Sequence, residues 1–365
     1  MGDPSHLLEF DMSGGPRLRG IGTAAPGEMI KANDGLALAA AVSPEVESAR
    51  LEPLYLEGGV ASRSTILDAM GIREHLLEPL DANGRSTSER LSMYLAAASD
   101  LGERSARTAM ERASITPDEV THLVTVTCTG AESPGVDQAL VKRLGLSPDV
   151  SRTNIGFMGC HGAMNGLAVA HAFAAANPDA VVLLTCVEIC SIHYLVGTDP
   201  WDHQVANAIF ADGSGSAVLS SQGEGPSIHG FGSRIFPDTR EMMTWTIGEH
   251  GFEMTLSPRV PGILKRNVAG WVDEWLGRSG LSREDIDAWA VHPGGRDILE
   301  GVRRGLDLPH DSMDASKHIL ETHGNMSSGT VLWVLDELLR SGTQGTIAGL
   351  AFGPGLVGEG VLINT

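Results

Sequence analysis

An internal duplication constrains this 365-residue chain more than any other feature of its sequence. The segment ITPDEV (residues 115–120) precedes a β-rich run at 122–128, and LSREDI (residues 281–286) precedes another at 288–291, an offset of 166 (281 minus 115). The offset is 165 between Cys160 and Asn325 (325 minus 160), and we expect a helix to start at each of them. A spacing shared by several elements is typical of repeated structural units. The sequence therefore predicts two similar halves.

Each half alternates β-rich runs with helical stretches, which favours α/β units with mainly parallel sheets. Two such halves packed together predict a five-layer α-β-α-β-α fold with equivalent helices in the middle. We place an N-terminal arm at residues 1–16, the first half at 17–224 and the second at 225–365. The stretch 153–178 contains no Asp, Glu, Lys or Arg, which predicts a helix buried on all sides.

Composition excludes several function classes. The formal net charge is −20, so the surface repels nucleic acid and anionic membranes. Polar residues such as Asn154 and His161 interrupt the uncharged stretch, so we predict no membrane span. The four cysteines do not form a disulfide-dense frame, which favours a reducing compartment such as the cytoplasm.

Cys160 is the candidate nucleophile. It follows NIGFMG (residues 154–159) and precedes the uncharged helix. A thiol at a helix N-terminus meets free N–H groups and the positive end of the dipole, which favours the thiolate. Taken alone, a buried cysteine is more often structural; its setting between Gly159 and Gly162 favours catalysis.

His292, at the end of a predicted strand, and Asn325 complete a candidate catalytic set. The duplication pairs Asn325 with Cys160, so we expect all three residues to converge. Such a set suits a decarboxylative Claisen condensation, in which a thiolate holds the acyl group and a malonyl thioester loses carbon dioxide to give an enolate. The N–H groups of an imidazole and a carboxamide can stabilise the enolate oxygen, and they do so without an acid that would protonate the carbanion. Backbone N–H groups near Cys160 and at Gly355 would form a second oxyanion hole.

Four segments carry a family resemblance: NIGFMGCHGA (154–163), HPGG (292–295), GNMSSG (324–329) and FGPG (352–355). In this order they resemble the type III polyketide synthases of the chalcone and stilbene synthase superfamily, on the thiolase fold. The bacterial alkylresorcinol, alkylpyrone and tetrahydroxynaphthalene synthases are more similar than the plant enzymes. The resemblance implies a homodimeric acyltransferase of secondary metabolism. It further implies that acyl-CoA starters are extended with malonyl-CoA, without a metal or other cofactor.

The resemblance also implies the walls of a substrate cavity. Phe210 matches a gatekeeper phenylalanine, and Met254 replaces a second one, so that longer acyl groups could enter. Further cavity positions carried over from the family are Cys128, Ser133, Cys190 and His193. Ser133 falls where a neighbouring subunit's methionine projects into the cavity of the plant enzymes.

The basic cluster that holds coenzyme A in the plant enzymes is reduced here. Arg63 is the clear remaining member of that cluster, and Arg50 and Arg296 are additional candidates for binding coenzyme A. The acyl donor could therefore also be bound to an acyl carrier protein.

Three alternatives accompany this interpretation. A ketoacyl-ACP synthase III-like enzyme would share the catalytic set and perform a single condensation. A scaffold that kept the fold would be non-catalytic. A dinucleotide site at Gly353, Gly355 and Gly358 is disfavoured because no helix follows, and a metal site at Cys186, Cys190 and His193 lacks a fourth ligand.

Overall fold

The computed structural model describes residues 15–44, 46–78, 84–195 and 201–365. Almost all of the predicted N-terminal arm, residues 1–14, lies outside the described residues. The strands are β1 Arg17–Ala24, β2 Glu28–Lys31, β3 Ser62–Thr65, β4 His122–Thr127, β5 Ser151–Gly156, β6 Val181–Ile189, β7 Asp212–Ser220, β8 Ser227–Ile235, β9 Met243–Gly248, β10 Gly251–Leu256, β11 Ala288–Val291, β12 Thr346–Gly353 and β13 Val357–Asn364.

The α-helices vary from single turns to five turns. They are α1 Ala32–Val42, α2 Ser48–Leu56, α3 Ala69–Ile72, α4 Thr87–Leu91, α5 Tyr94–Ala113, α6 Val136–Leu144, α7 Gly162–Ala176, α8 Trp201–Ile209, α9 Val260–Arg278, α10 Arg296–Gly305, α11 Asp314–His323 and α12 Thr330–Arg340. Among the described residues, none of these helices combines the length and apolar character needed to cross a membrane.

The duplication is visible in the strand order. In the described residues the main sheet runs β11-β12-β13-β8-β1-β7-β6-β4-β5. In the first half β4 and β6 are parallel, and β7 and then β1 follow as antiparallel neighbours. In the second half β11 and β12 are parallel, and β13 and then β8 follow as antiparallel neighbours. The strand orders of the halves are therefore mirror images about the junction between β8 and β1, with β5 added in the first half.

The described residues form four hydrophobic clusters, and the three largest lie between the layers. Strand residues alternate between them, as in β6, where Leu184 faces the central cluster and Leu183 an outer one. The central cluster joins both halves, because it includes α7 and α12 together with strands such as β6 and β12. One outer cluster packs α5 on the first half, and the other packs α9 and α10 on the second. This arrangement confirms the predicted five layers. The prediction that α7 is buried on all sides is only partly correct, because Ala172, Ala175 and Ala176 near its C-terminus are exposed.

The equivalence of Cys160 with Asn325 is wrong by three residues. The turn Gly159–His161 that leads into α7 corresponds to the turn Ser327–Gly329 that leads into α12, an offset of 168 (327 minus 159). The φ angles agree, since Gly159 has +74° and Ser327 has +47°. Asn325 therefore lies before this turn rather than at a helix start, because the segments between strand and helix differ in length in the two halves.

Candidate active site

Cys160 lies in the turn Gly159–His161, immediately before α7. The preceding Gly159 has a positive φ, and a Cβ atom there would collide with the ring of Pro354. Glycine is therefore needed for the loop after β12 to approach the nucleophile. The Cys160 side chain is buried, with 5% of its surface exposed.

Asn325 lies beside the nucleophile. Its Nδ2 atom is 4.0 Å from the Cys160 Sγ atom, while its Oδ1 atom accepts a hydrogen bond of 2.9 Å from the backbone N–H of Ser327. Because that N–H can only donate, it fixes the orientation of the carboxamide and turns the NH₂ group toward the sulfur. The prediction that Asn325 approaches Cys160 is thus met by the geometry, although the two residues are not equivalent in the duplication.

His292 directly follows β11, and its backbone N–H donates to the Leu350 carbonyl at 2.7 Å. Because β11 and β12 are parallel neighbours, His292 lies at the same sheet edge as Pro354, which lines the chamber at Cys160. The imidazole is buried, and neither ring nitrogen has a hydrogen-bond partner in the described part of the chain. Two unpaired buried nitrogens are costly to leave unsatisfied, and a substrate oxygen would satisfy one of them.

Burial disfavours the charged form of each candidate catalytic group taken alone. It raises the pKa of the Cys160 thiol to about 12, against the opposing effect of hydrogen bonds from Ser327 and Asn325. It lowers the pKa of His292 to about 3, and the nearby His161 adds to that shift. The start of α7 favours the thiolate, but burial opposes it more strongly, so the Cys160 thiol taken alone stays protonated at neutral pH.

Two adjoining chambers form the cavity. The chamber at Cys160 has a volume of about 20 Å³ and the second chamber about 30 Å³. Their shared wall includes three residues predicted from the family, Cys190, Phe210 and Met254, and one that was not predicted, Trp245. The residues lining the first chamber do not include His292 or Asn325.

The remaining cavity predictions had mixed outcomes. Cys128 lines the chamber at Cys160. His193 lines the second chamber, where Nε2 bonds the Thr129 carbonyl at 2.8 Å and Nδ1 accepts from the Phe252 N–H at 3.1 Å. Ser133 is exposed and lines neither chamber of its own chain, because it lies in the loop before α6.

Gly355 cannot serve as an oxyanion donor in this conformation. Its backbone N–H donates to the Met243 carbonyl at 3.2 Å. The remaining candidate donors for the predicted second oxyanion hole are therefore the backbone N–H groups of the turn that contains Cys160.

Glu188, which the sequence interpretation missed, is a fully buried carboxylate at the end of β6. It accepts hydrogen bonds from the hydroxyls of Thr129 at 2.6 Å and Ser328 at 2.5 Å, and from the backbone N–H of Cys128 at 3.0 Å. Burial raises its pKa. The signal in the sequence was a single charged residue in an otherwise apolar strand.

The predicted coenzyme A contacts separate into two places. Arg63 is buried, and its guanidinium donates to the backbone carbonyls of Asn207 and Phe210, so it is not available to a phosphate at the surface. Arg50 and Arg296 are exposed and line one surface groove. The Arg50 guanidinium stacks over the Trp201 ring in that groove at 4.5 Å from its centroid.

Comparison with known proteins agrees with this geometry. The family model for the N-terminal domain of chalcone and stilbene synthases matches residues 20–223, and the model for their C-terminal domain matches residues 228–365. The chain is 30% identical to a 1,3,6,8-tetrahydroxynaphthalene synthase of Streptomyces peucetius, over 96% of this chain and 93% of that protein. It is also 30% identical to the alpha-pyrone synthesis polyketide synthase-like Pks18 of Mycobacterium tuberculosis, over 95% of this chain and 90% of that protein.

A solved structure, PKS-I from the brown alga Ectocarpus siliculosus, superposes with a TM-score of 0.90 at 31% identity, covering 97% of this chain and 99% of that one. Both halves thus match condensing enzymes of one family. The alternatives of a ketoacyl-ACP synthase III-like enzyme and of a non-catalytic scaffold are set aside.

Proposed function

The chain belongs to the chalcone and stilbene synthase family and is a type III polyketide synthase, and from this premise we propose how its own residues perform decarboxylative condensation. Cys160 carries the acyl chain, while His292 and Asn325 bind the enolate oxygen. The observation that carries the proposal is the Asn325 amide, held 4.0 Å from the Cys160 sulfur by the Ser327 N–H.

Loading begins with transfer of the thiol proton of Cys160 to His292. Neither charge is stable alone in this buried site, but as a pair each stabilises the other, and the Asn325 N–H adds to the stabilisation of the thiolate. The thiolate attacks the starter thioester, the acyl–sulfur bond to coenzyme A breaks, and His292 returns its proton to the departing thiolate. The products are acyl-Cys160, free coenzyme A and a neutral imidazole.

Extension uses the neutral imidazole. Malonyl-CoA loses carbon dioxide, and the electron pair of the broken bond forms an enolate. N–H groups of His292 and Asn325 donate to its oxygen, and because the pKa of His292 is low, the imidazole does not protonate the carbanion. The carbanion attacks the acyl carbonyl, the bond to Cys160 breaks, and the thiolate is regenerated.

We propose that Arg50 and Arg296 hold the phosphates of coenzyme A in the surface groove. Both guanidinium groups are exposed there and can donate paired hydrogen bonds to phosphate oxygens, and the bond of 2.6 Å from Arg296 to the Glu57 carbonyl leaves its other N–H groups for this role. The reaction then needs no further cofactor, because loss of carbon dioxide drives the condensation. An acyl carrier protein could present the same phosphopantetheine group at this groove, which is a second form of the donor to be tested.

The wider setting is also proposed. All four cysteines are free thiols, which fits the reducing cytoplasm. We expect a homodimer in which the exposed Ser133 approaches the partner's cavity. The names of the two relatives suggest cyclisation of the chain to a pyrone or a hydroxylated naphthalene, and the resemblance in sequence adds a resorcinol as a further candidate product.

The test is incubation with malonyl-CoA and a panel of starter thioesters, presented on coenzyme A or on a carrier protein, with mass spectrometry of the products. Wild-type enzyme should form polyketides from coenzyme A thioesters. Cys160→Ala should lose acyl loading and product, yet retain malonyl-CoA decarboxylation. Product formation by Cys160→Ala at the wild-type rate would remove Cys160 from the mechanism.

A further inference from the structure

Three buried polar side chains at the second chamber have donor groups without a hydrogen-bond partner. They belong to Arg63, Tyr55 and Tyr194, which expose 4%, 4% and 3% of their surfaces. Among the residues that the structure describes, none bonds to the Nη2 atom of Arg63 or to either tyrosine hydroxyl. Arg63 and Tyr194 both line the second chamber.

The three groups lie close to one another. A Cβ atom at Gly35 of α1 would be 3.1 Å from the Tyr55 ring and 3.3 Å from Arg63 Nη2, so both pack on this glycine. The hydroxyls of Tyr55 and Tyr194 approach each other, although not with hydrogen-bond geometry. Burial raises the pKa of both tyrosines, and the positive charge of Arg63 opposes that rise in each. They therefore form one polar cluster inside the protein.

The positive charge of this cluster has no direct counter-charge. In the described ranges, no carboxylate forms an ion pair with the guanidinium of Arg63. Asp212 is near enough for Arg63 to oppose the rise in its pKa that burial causes, but its oxygens accept hydrogen bonds from Ser191 and from the Ile66 N–H. A buried charge is costly unless an opposite charge accompanies it.

A small monovalent anion is the ligand that fits this cluster. A guanidinium N–H can only donate, and a hydroxyl can turn its hydrogen toward an acceptor. Chloride or a short carboxylate accepts all of these hydrogens and also balances the charge, which a water molecule does not. The second chamber, with a volume of about 30 Å³, exceeds the roughly 10–15 Å³ that one water-sized ligand needs.

The backbone connects the cluster to the candidate catalytic asparagine. Arg63 Nη1 donates to the Phe210 carbonyl at 3.2 Å. Phe210 in turn forms a β-bridge with Asn325. In that bridge the Asn325 N–H donates to the Ile209 carbonyl at 2.8 Å, and the Ala211 N–H donates to the Asn325 carbonyl at 2.8 Å. A group that holds Arg63 in place therefore also holds the segment on which Asn325 is positioned.

We propose that Arg63, Tyr55 and Tyr194 bind a small monovalent anion, either chloride or a short carboxylate such as formate, and that the bound anion fixes the segment that positions Asn325. Arg63 is then a positioning residue and not a ligand of coenzyme A. Binding of the anion is independent of the proposed function, whereas its effect on activity rests on that function.

The test is an exchange of anions at constant ionic strength. The protein is placed in sodium gluconate, whose anion is too large for the chamber, and the gluconate is replaced stepwise by chloride or by formate. Thermal unfolding and the rate of malonyl-CoA decarboxylation are measured at each step. Arg63→Met removes the charge, and the double variant Tyr55→Phe, Tyr194→Phe removes two donors but keeps both rings. Tyr94→Phe is the matched control, because Tyr94 is equally buried and its hydroxyl donates to Thr127 at 2.7 Å.

In wild type, chloride or formate should raise the Tm in a saturable manner by about 2 °C or more. The decarboxylation rate should rise with the same midpoint. A response to one anion alone assigns the site to that anion, and a response to both assigns it to small anions in general. The double tyrosine variant should need at least about tenfold more anion, Arg63→Met should not respond, and Tyr94→Phe should respond as wild type. An equal Tm in all three salts would overturn the proposal, and so would a wild-type response in the double variant.

If Arg63→Met does not fold, the double variant and crystals of wild type grown in sodium bromide decide the question. An anomalous peak within hydrogen-bond distance of Arg63 Nη2 and the two hydroxyls would support the site, whereas an ordered water there without anomalous signal would overturn it. Failure of the proposed function gives a different result, since the Tm would then respond to the anions while no salt supports decarboxylation. A Tm response with an unchanged decarboxylation rate would overturn the link to Asn325.

Discussion

Replacement of His292 should slow alkylation of Cys160 by iodoacetamide. In the wild type, transfer of the thiol proton to His292 makes thiolate available at neutral pH. His292→Gln keeps most of the side-chain volume, and so keeps water out, but it cannot accept the proton. Cys160 should then show the raised pKa, about 12, that burial gives it.

The size of the effect follows from two opposing factors. At pH 7.5 a thiol with a pKa of 12 is ionised to only about 3 parts in 10⁵, which lowers the rate by more than about 10⁴ relative to a fully ionised pair. A more basic thiolate is intrinsically more nucleophilic, with a Brønsted slope of about 0.4–0.5, and this recovers about 10². We therefore expect a net slowing of about 10²-fold.

The assay is the pH dependence of alkylation, with the modified cysteine identified by peptide mass spectrometry and Cys160→Ala as the blank. Wild type should show a plateau around neutral pH, whereas His292→Gln should show a rate that rises tenfold per pH unit up to about pH 10. A wild-type rate that rises log-linearly without a plateau would refute the ion pair. Retention of the plateau in His292→Gln would refute the role of His292 as proton acceptor.

Three further outcomes are expected. Asn325→Asp replaces an N–H donor by a carboxylate and should slow malonyl-CoA decarboxylation by about 10²–10³-fold; an unchanged rate of carbon dioxide release would contradict its role. Asp212 is buried, which raises its pKa from 3.8 to about 6. Its stabilising contribution is therefore present below pH 4 and is lost as the pH rises through 6. The difference in unfolding free energy between wild type and Asp212→Asn, measured in urea, should change by about 3 kcal/mol over that window, and a constant difference would contradict this. Arg50→Glu combined with Arg296→Glu should raise the KM for malonyl-CoA at least tenfold and make it less sensitive to salt; an unaltered KM would place coenzyme A elsewhere.

The duplication and the four motifs were enough to predict the family and the five layers, and they supplied the catalytic set that we propose. Cys160, His292 and Asn325 lie next to glycines and turn residues whose positions depend on local backbone geometry, as the positive φ of Gly159 shows. Because such backbone requirements depend on a few consecutive residues, they can be recognised in a single sequence. The offset between the halves paired Asn325 with Cys160 incorrectly, because the spacing of motifs does not show where residues have been inserted between them.

The walls of the site depended on contacts between distant residues. Trp245 donates a hydrogen bond to Cys128, 117 positions away, and Glu188 accepts hydrogen bonds from the end of β4 and from the turn before α12. Arg63 matched a coenzyme A residue in the sequence but is buried, with its guanidinium bonded to the carbonyls of Asn207 and Phe210. The Gly355 N–H has a partner on β9.

The family and the five-layer fold could thus be predicted from the residues alone. The space around Cys160, the pKa of its thiol and the residues that line the cavity were visible only in the folded protein. This difference arises because the chemical groups that a chain can offer are set by its residue types. Cavity volume and pKa instead depend on how closely side chains from separate parts of the chain pack and how completely they exclude water.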